Sequence, residues 1–545
     1  MGAARAPANA LAWRAGRVVA VGDEALVRAA AGPAAVELDA RGATVLPGFI
    51  DAHQHPSIWA VYGGGVRLAA PAVKSVQDLQ QRLAETARAQ EPGTWVVGVE
   101  WDEARLAERR APTRAELDAA APDHPLFALH YSCHRAAANS RALELAGIGK
   151  NTPEPFGGVI ERDANGHPSG LLVERGMSRV ESLARTALVA RDVDGFLSRL
   201  ASHYGALARV GITRLADAAV PGDLHALYRE AQARGLVTIP TVLMPVSVTG
   251  YLEPPLDVFD WPPSGERDGN LTVGPVKMIL DGAPTCALCM SYWQTAVASW
   301  RAFAGAVRDR SLDPIRTSLA MRPRFGRDVR SGLHLHTAEE TGKTIRAATE
   351  RGFSVACHAE GNDAIGRALT AYEDSSARLH GGGQARLEHV LFADRALSAR
   401  IARVGAAAVM QPFFLSIPTV ASAPEVPGLP LIPLRSLIDA GVTVAGSSDF
   451  PVTGFDPLDG IRSAVSRKCG RGVREIAERV SLDEAFAMYT REAASVLGCL
   501  DECGTLEPGK RADLVFLDRR VQHEDDLAEA MVARTVLEGR AVFGA

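Results

Sequence analysis

The stretch Val45-Leu46-Pro47-Gly48-Phe49-Ile50-Asp51-Ala52-His53-Gln54-His55-Pro56 is an apolar run that ends in two histidines separated by one residue. On a β-strand, side chains i and i+2 project from the same face, so His53 and His55 point one way while Gln54 points the other. Imidazole is the commonest metal ligand in proteins. The stretch therefore predicts a strand whose end carries a metal-binding pair. Two surface histidines at a strand end are the alternative at this point.

Composition narrows the class of protein. The 545-residue chain is 47% hydrophobic, with a net charge of -5 and a pI near 6.3. It can bury a large core, and its charge predicts no nucleic-acid or membrane partner. No apolar run reaches the roughly 18 residues of a membrane span, and residues 1–7 lack the apolar segment of a secretion signal. Seven scattered cysteines favour reduced thiols, so we expect a cytoplasmic protein.

Beyond the first strand, apolar strand-like runs alternate with helix-like stretches, a rhythm typical of a parallel sheet or barrel. Counting the first, the candidate strands number eight, which is the number that closes a (β/α)₈ TIM barrel. The other seven are 211–217, 237–243, 273–280, 353–358, 386–389, 406–411 and 442–449. We therefore predict an α/β fold with this barrel within residues 49–500.

Both chain ends and one long connection lie outside this rhythm. Short glycine-bounded runs at 11–13, 16–22 and 36–38 match others at 504–518 and 532–543, so residues 1–48 and 501–545 are interpreted as one small composite β-sandwich domain. Residues 56–210 are far too long for an ordinary crossover. They predict a subdomain inserted after barrel strand one, with strands at 93–100 and 125–129 and a helix at 141–145. We expect it to form a lid or one wall of the substrate pocket.

Four more barrel strands carry side chains able to do chemistry. Lys277 lies among apolar neighbours, where burial would lower its pKa and leave a neutral amine that can form a carbamate with carbon dioxide. A lysine that reaches solvent at a strand edge is the alternative. His358 and His389 end the fifth and sixth strands, at the end of a barrel where active sites lie. Asp449 ends the eighth, where a carboxylate can bind a metal, move a proton or cap the next helix.

These motifs, in this order, resemble the amidohydrolase superfamily and, within it, the branch called amidohydrolase family 3. The resemblance covers nearly the whole chain, from the His53-x-His55 motif to the tail at 504–517. It implies two divalent metal ions, zinc in the first instance, bridged by a carboxylated Lys277 and a hydroxide. His53 and His55 would hold one ion with Asp449 beside it, and His358 and His389 the other. Asp449 would carry the proton from the hydroxide to the leaving nitrogen.

The same resemblance suggests a substrate contact for His134, and Trp101, just past a strand of the insertion, is a second candidate. A core position is the alternative for Trp101. Several other side chains are expected to lie outside the metal site or only to support it, namely His334 and His336, Cys286 and Cys289, and Asp217 and Asp281. The Pro-rich stretches 253–263 and 416–433 are predicted to be long pocket loops.

Taken together, the residues and the resemblance predict a metal-dependent hydrolase acting on a carbon–nitrogen bond of a small molecule. The bond would belong to an N-acyl or N-formyl amine or to a cyclic amide. Deamination of a heterocycle is the second hypothesis, and a non-catalytic regulatory or binding barrel is the third. The presence of a bridging lysine together with a proton-carrying aspartate argues against a non-catalytic barrel. A homodimer is allowed for but not required.

Overall fold

The structure is a computed structural model that describes residues 8–247, 250–258, 260–283, 285–312, 315, 321–375 and 385–544. Residues 1–7, on which the predicted lack of a secretion signal rests, lie outside the described residues. Within the described part of the chain, none of the helices combines the length and the apolar character needed to cross a membrane.

Eight parallel strands form the centre of the molecule, in two five-stranded sheets. In chain order they are β1 (Phe49–Gln54), β2 (Ile212–Val220), β3 (Thr241–Pro245), β4 (Leu271–Val273, continuing as Val276–Ile279), β5 (Val355–Ala359), β6 (Arg386–His389), β7 (Ala407–Met410) and β8 (Val444–Gly446). The short strand Arg267–Asp268 adds to the edge of the first sheet in antiparallel fashion. All eight predicted strands are present, and their ends shift by a few residues.

Backbone hydrogen bonds connect the two sheets at both gaps between them. The two halves of β4 bridge one gap, because Gly274 N–H donates to the Leu243 carbonyl at 2.7 Å and Val276 N–H to the Ser354 carbonyl at 2.8 Å. The split in β4 falls at Pro275, which has no N–H to give to a ladder. At the other gap, Asp449 N–H donates to the His53 carbonyl at 2.8 Å. The fold is therefore of the α/β barrel type.

Helices follow most of these strands and pack outside them. Many begin at a side chain that accepts a backbone N–H, such as Asp394 or Thr337, which satisfies donors that the first turn would leave unpaired. The described α-helices are Glu24–Ala31, Pro56–Tyr62, Val76–Arg88, Arg114–Ala120, Ser140–Leu145, Ser178–Arg191, Val193–Arg209, Gly222–Ala233, Tyr292–Asp309, Ala338–Glu350, Asn362–Asp374, Arg395–Val404, Pro418–Ser422, Leu434–Asp439, Pro457–Ser466, Leu482–Met488, Arg491–Val496 and Glu524–Leu527. Short 3₁₀ helices span Pro412–Ser416 and Ile476–Glu478.

The two chain ends meet in one place. Val45–Pro47 pairs with Leu514–Leu517, which continues through Val532–Leu537 to Arg540–Phe543 in a four-stranded antiparallel sheet. The hairpin Ala10–Arg14 and Arg17–Gly22 packs beside it, and Leu11 and Trp13 contact its buried face.

Two expectations for the N-terminal segment were wrong. Residues 36–38 form no strand, since Val36 is 97% exposed and no neighbouring strand pairs with it. The segment before them, expected to be strands and turns, contains the helix Glu24–Ala31, which begins where the Asp23 side chain accepts the Leu26 N–H. Alanines and a capping aspartate favour a helix over the strand-like reading.

The long connection after β1 folds around a six-stranded sheet of its own. Its strands lie in the order Val66–Arg67, Val96–Trp101, Leu126–His130, Arg135–Ala138, Pro168–Glu174 and Gly158–Arg162. The two strands and the helix predicted here are all present, the helix at Ser140–Leu145. Smaller antiparallel pieces elsewhere are Leu288–Met290, Arg324–Phe325 and Val329–Ser331, and the pair Lys468–Cys469 and Gly472–Val473.

Candidate active site

The end of β1 meets the end of β8 in a cluster of three side chains. His53 Nε2 lies 3.2 Å and His55 Nε2 lies 3.0 Å from the same oxygen, Oδ1 of Asp449. Burial alone would raise the pKa of Asp449, but its hydrogen bonds to the two histidines hold the pKa well below its ordinary value. Asp449 is therefore a carboxylate at neutral pH, and it lies where both rings of the His-x-His pair converge.

The other ring nitrogen of His53 is held from behind. Its Nδ1 lies 2.5 Å from Oε2 of Glu388, and Arg386 donates to both oxygens of that carboxylate at 2.9 and 3.1 Å. Burial opposes ionisation, but Arg386 and His53 keep the pKa of Glu388 well below its ordinary value. A charged acceptor at Nδ1 fixes the ring orientation and leaves Nε2 facing the cluster.

His389 is oriented in a similar way by a neutral partner. Its Nδ1 lies 2.9 Å from Oε1 of Gln411, whose amide donates to Ser447 Oγ at 2.9 Å. The His389 ring centroid lies 4.9 Å from that of His53 and 4.4 Å from that of His358. Burial lowers the pKa of His389 to about 3, so the ring is neutral near pH 7 and can donate a lone pair.

Backbone conformation places two of these groups. His389 has φ of 76° and Asp449 has φ of 58°, both in the left-handed region that non-glycine residues rarely adopt. Such conformations cost on the order of 1–3 kcal/mol and persist where surrounding contacts determine them. Here the Asp449 backbone is held on both sides, because its N–H donates to the His53 carbonyl at 2.8 Å and its carbonyl accepts the Val452 N–H at 2.9 Å. The strained residues are the ones that turn their side chains into the cluster.

Lys277 lies beneath the cluster on β4. Its Nζ is 3.5 Å from His53 Nε2, and among the described residues no carboxylate lies within ion-pairing distance of it. Burial lowers the pKa of Lys277 to about 8, partly opposed by Glu388 and Asp449. The alternative of a lysine that reaches solvent is excluded, since the residue is only 2% exposed.

The donor set fits a divalent metal ion. Ligand atoms of His53, His389 and Asp449 all lie within 4.8 Å of one another. Two further ring nitrogens, His55 Nδ1 and His358 Nε2, are buried without a hydrogen-bond partner. Burial lowers the pKa of His55 to about 4 and that of His358 well below its ordinary value, so both rings are neutral. Neutral imidazoles grouped around a carboxylate are what zinc and similar ions bind.

The cluster lies on the wall of a cavity of about 290 Å³. From the connection 56–210, Ile58, Met177 and the segment 131–134 line this cavity on one side. The Pro-rich stretch 416–433 lines it too, and contains the helix Pro418–Ser422. None of the described residues of the other stretch, 253–263, does so. Described residues between 286 and 331 supply much of the remaining wall, where the sequence had placed only the thiols of Cys286 and Cys289 near the pocket.

His134 lies where the sequence predicted a substrate contact. It lines the cavity, its ring centroid is 5.5 Å from that of His358, and its Nδ1 is 2.7 Å from Glu174 Oε2. Burial works against the charged ring, yet the Glu174 carboxylate outweighs it and raises the pKa of His134 above its ordinary value. The structure does not support Trp101 as a substrate contact. Its side chain is fully buried in the core of the insertion and does not line the cavity, and its indole N–H donates to the Ala128 carbonyl at 2.9 Å.

The side chains expected to support the site do so. Asp217 accepts the Ser57 N–H at 3.0 Å and the Tyr228 hydroxyl at 2.6 Å, which anchors the helix that follows His55. Asp281 accepts three backbone N–H groups and lies 3.6 Å from His358 Nε2. Burial is the main reason that the pKa of Asp281 rises to about 7.

Both cysteines named from the sequence are free thiols. Cys286 lines the cavity, whereas Cys289 lies on the strand Leu288–Met290 and does not.

Sequence reasoning assigned no role to Arg386, Gln411, Glu174 or Glu360. Only folding reveals their positions: Arg386 holds Glu388 behind His53, Gln411 contacts His389, Glu174 contacts His134, and Glu360 lines the cavity. A signal was available for Gln411, because it follows β7 directly, as the histidines end β5 and β6.

With this geometry in view, comparisons with known proteins identify the family. A family model described as "Amidohydrolase family" matches residues 36–543. The chain is 33% identical over 540 residues to N-substituted formamide deformylase of Arthrobacter pascens, covering 98% of this chain and 94% of that protein. It is 28% identical to the putative amidohydrolase YtcJ of Bacillus subtilis (strain 168), covering 94% and 91%.

Among solved structures, an uncharacterized metal-dependent hydrolase from Pyrococcus horikoshii OT3 is similar, with a TM-score of 0.66 and 22% identity over 94% of this chain and 95% of that one. At this identity the likeness shows the fold. The chain belongs to the amidohydrolase family, which confirms the resemblance drawn from its motifs. The predicted class of activity, metal-dependent hydrolysis of a carbon–nitrogen bond, is confirmed with it.

Proposed function

We propose that the protein binds two divalent metal ions, zinc in the first instance, through His53, His55, His358, His389 and Asp449, with Lys277 as the bridge. The supporting observation for the bridge is that Lys277 is buried beside His53 without an ionic partner. An unpaired buried ammonium is costly. Addition of carbon dioxide to the neutral amine, with loss of one proton to water, would give a carbamate anion with two oxygens, which suits two neighbouring cations.

When bound, such ions lower the pKa of water and polarise a carbonyl group. The chain supplies the rest of the reaction. Asp449 takes the proton from the attacking water and returns it to the leaving nitrogen as the tetrahedral carbon collapses. Its position carries the proposal, since one carboxylate oxygen lies within 3.2 Å of both His53 and His55 at the edge of the cavity. His134, held by Glu174, contacts the substrate.

The substrate we propose is a secondary amide of formyl or short acyl type. The supporting relative is the N-substituted formamide deformylase, which this chain matches over nearly its whole length. Deamination of a heterocycle is the second candidate, and a cavity of about 290 Å³ would admit either. The test is a panel of formamides, acetamides, lactams and amino-heterocycles offered to zinc-, manganese- and cobalt-loaded enzyme. Release of ammonia from an intact ring, with every amide untouched, would decide for the deaminase.

Two variants test the assigned roles. Asp449→Asn keeps the shape but cannot accept the proton, so amide turnover should fall about 10²-fold or more. An activated ester, whose leaving group needs no proton, should lose much less. Equal losses on both would assign Asp449 to the attacking water or to metal binding alone. Lys277→Ala should lose bound metal, measured by elemental analysis, with partial rescue by short carboxylates; unchanged metal content would remove Lys277 from the site.

We also propose the domain organisation, the cellular location and the oligomeric state. The eight strands would close as a (β/α)₈ barrel within residues 49–500, with 56–210 inserted. Residues 1–48 and 501–545 would form one β sandwich. The free thiols of all seven cysteines support a reducing, cytoplasmic location. The predicted homodimer can be tested by measuring the mass of the protein in solution.

A further inference from the structure

One buried carboxyl group in the cavity has no partner. Glu360 is 3% exposed and lines the same cavity as His358, two residues before it. Among the described residues, no side chain or backbone group hydrogen-bonds to its carboxyl oxygens or forms an ion pair with them. A buried polar group without a partner costs free energy, so it is rare and usually has a role.

The backbone at Glu360 is fixed on both sides. Its N–H donates to Asp281 Oδ1 at 3.0 Å, and its carbonyl accepts the Phe392 N–H at 2.9 Å. The next residue has no room for a side chain, since a Cβ on Gly361 would lie 1.9 Å from the Ala287 carbonyl oxygen. The backbone of Glu360 is therefore fixed, and its side chain, 3% exposed, starts from a fixed point on the cavity wall.

The three carboxylates that interact with Glu360, on Asp449, Asp281 and Glu174, already have partners, and those of Asp449 are His53 and His55. Asp281 accepts three backbone N–H groups, and Glu174 accepts from Thr285 Oγ1 at 3.0 Å and contacts His134 Nδ1 at 2.7 Å. None of the three can serve as a partner for Glu360. The group that completes its hydrogen bonding must therefore come from the cavity.

The wall beside Glu360 is apolar. Asn362 exchanges two hydrogen bonds of 2.8 Å with the backbone of Cys289, which ties this segment to the strand Leu288–Met290. From that strand the lining continues over side chains that carry almost no polar atoms, namely Leu288, Met290, Met321, Phe414, Ile417 and Val420. A molecule that fills this region gains from an apolar arm and from a hydrogen-bond donor directed at Glu360.

We propose that Glu360 accepts the N–H of a secondary amide substrate whose nitrogen carries an apolar substituent, and that this contact orients the amide toward Asp449. The inference rests on the proposed function and adds the substrate class and a substrate-contacting residue. An oxygen of the group can accept the N–H whether or not the other carries a proton. A tertiary amide, which has no N–H, cannot make the contact.

The experiment compares N-(2-phenylethyl)formamide with its N-methyl derivative on zinc-loaded enzyme. Glu360→Ala should lower kcat/KM for the secondary amide about 10- to 100-fold, the scale of a buried hydrogen-bond donor left unpaired, and change it less than about 3-fold for the tertiary amide. Glu360→Gln, which keeps one acceptor oxygen, should lie between. Glu339→Gln, at an exposed carboxylate, is the matched control.

Equal losses on both amides, or none on either, would overturn the role of Glu360 while leaving the hydrolase intact. Loss of zinc from both Glu360 variants would also overturn it, because the group would then serve the metal cluster. If the zinc-loaded wild type cleaves neither amide but is active elsewhere in the amide panel, the apolar substituent is wrong. If it cleaves no amide at all, the proposed function itself fails.

Discussion

The chain contains two His-x-His pairs, and the structure uses them in opposite ways. His53 and His55 end β1, and both rings reach one oxygen of Asp449. His334 and His336 lie in the connection before the helix Ala338–Glu350. There His334 Nε2 pairs with Asp363 at 3.0 Å, while neither ring nitrogen of His336 has a hydrogen-bond partner.

The difference shows that the element, and not the dipeptide spacing, brings a His-x-His pair into a cluster of potential metal ligands. A strand end directs alternate side chains to one face, and a barrel brings other strand ends to the same place. The first pair gains His389 and Asp449 from β6 and from the residues after β8 in this way. The second pair stands alone, and its two rings have separate surroundings.

The largest test of this comparison is the same substitution in each pair. His55→Leu removes a ligand, so bound metal should fall and turnover should drop about 10³-fold, because a metal supplies several kcal/mol of transition-state stabilisation. His336→Leu should change turnover less than about 2-fold. Elemental analysis and steady-state kinetics on both variants check this. Retained metal in His55→Leu, or lost metal in His336→Leu, would break the comparison.

A smaller effect should follow from removing the support of a ligand instead of the ligand itself. Gln411→Leu takes the acceptor from His389 Nδ1 and keeps a similar volume. Loss of such a partner typically lowers metal affinity 10- to 100-fold, so we expect about 10-fold weaker metal binding with turnover largely recovered at saturating metal. Competition with a metal-sensitive chelator measures the affinity. An unchanged affinity would mean that packing alone orients His389.

The sequence predicted the strand ends well, because each was an apolar run closed by a polar residue. His358, His389 and Asp449 were found by that pattern, and the order of strands brought them together. Burial of Lys277 was also predictable from its apolar neighbours. The hydrophobic pattern of the chain thus predicted the positions of most residues in the cluster.

The features that the sequence pattern did not predict depend on tertiary packing. Trp101 was a substrate candidate by its position after a strand, but the insertion needed a large apolar side chain at the centre of its own core. Glu360 went unassigned, because a glutamate after a histidine reveals nothing until neighbouring carboxylates are seen to be occupied. Apart from Cys286, the wall within 286–331 was missed. Its strands are only two or three residues long, too short for a periodic signal, and the helix Tyr292–Asp309 also contributes to it.

The smallest expected effect is on the pH dependence of stability, and it tests whether the second His-x-His pair is a buried, neutral site. Burial, with Arg175 and Arg367 nearby, lowers the pKa of His336 to about 3. The folded protein therefore keeps this ring neutral between pH 6.5 and about 3, while the unfolded chain binds a proton there. Because the unfolded state binds more protons, stability falls as the pH falls through this window, by up to about 1.4 kcal/mol per pH unit for one such group. Urea unfolding of wild type and His336→Leu between pH 7.5 and 5 measures the difference, and the variant should lose stability less steeply by about 1 kcal/mol per pH unit below pH 6. The proposed metal ligands are the same in both proteins, so their contribution to the pH dependence cancels in this difference.

Parallel curves of unfolding free energy against pH would mean that the His336 ring takes up its proton without unfolding. The second pair would then not be the closed, neutral site that its burial implies.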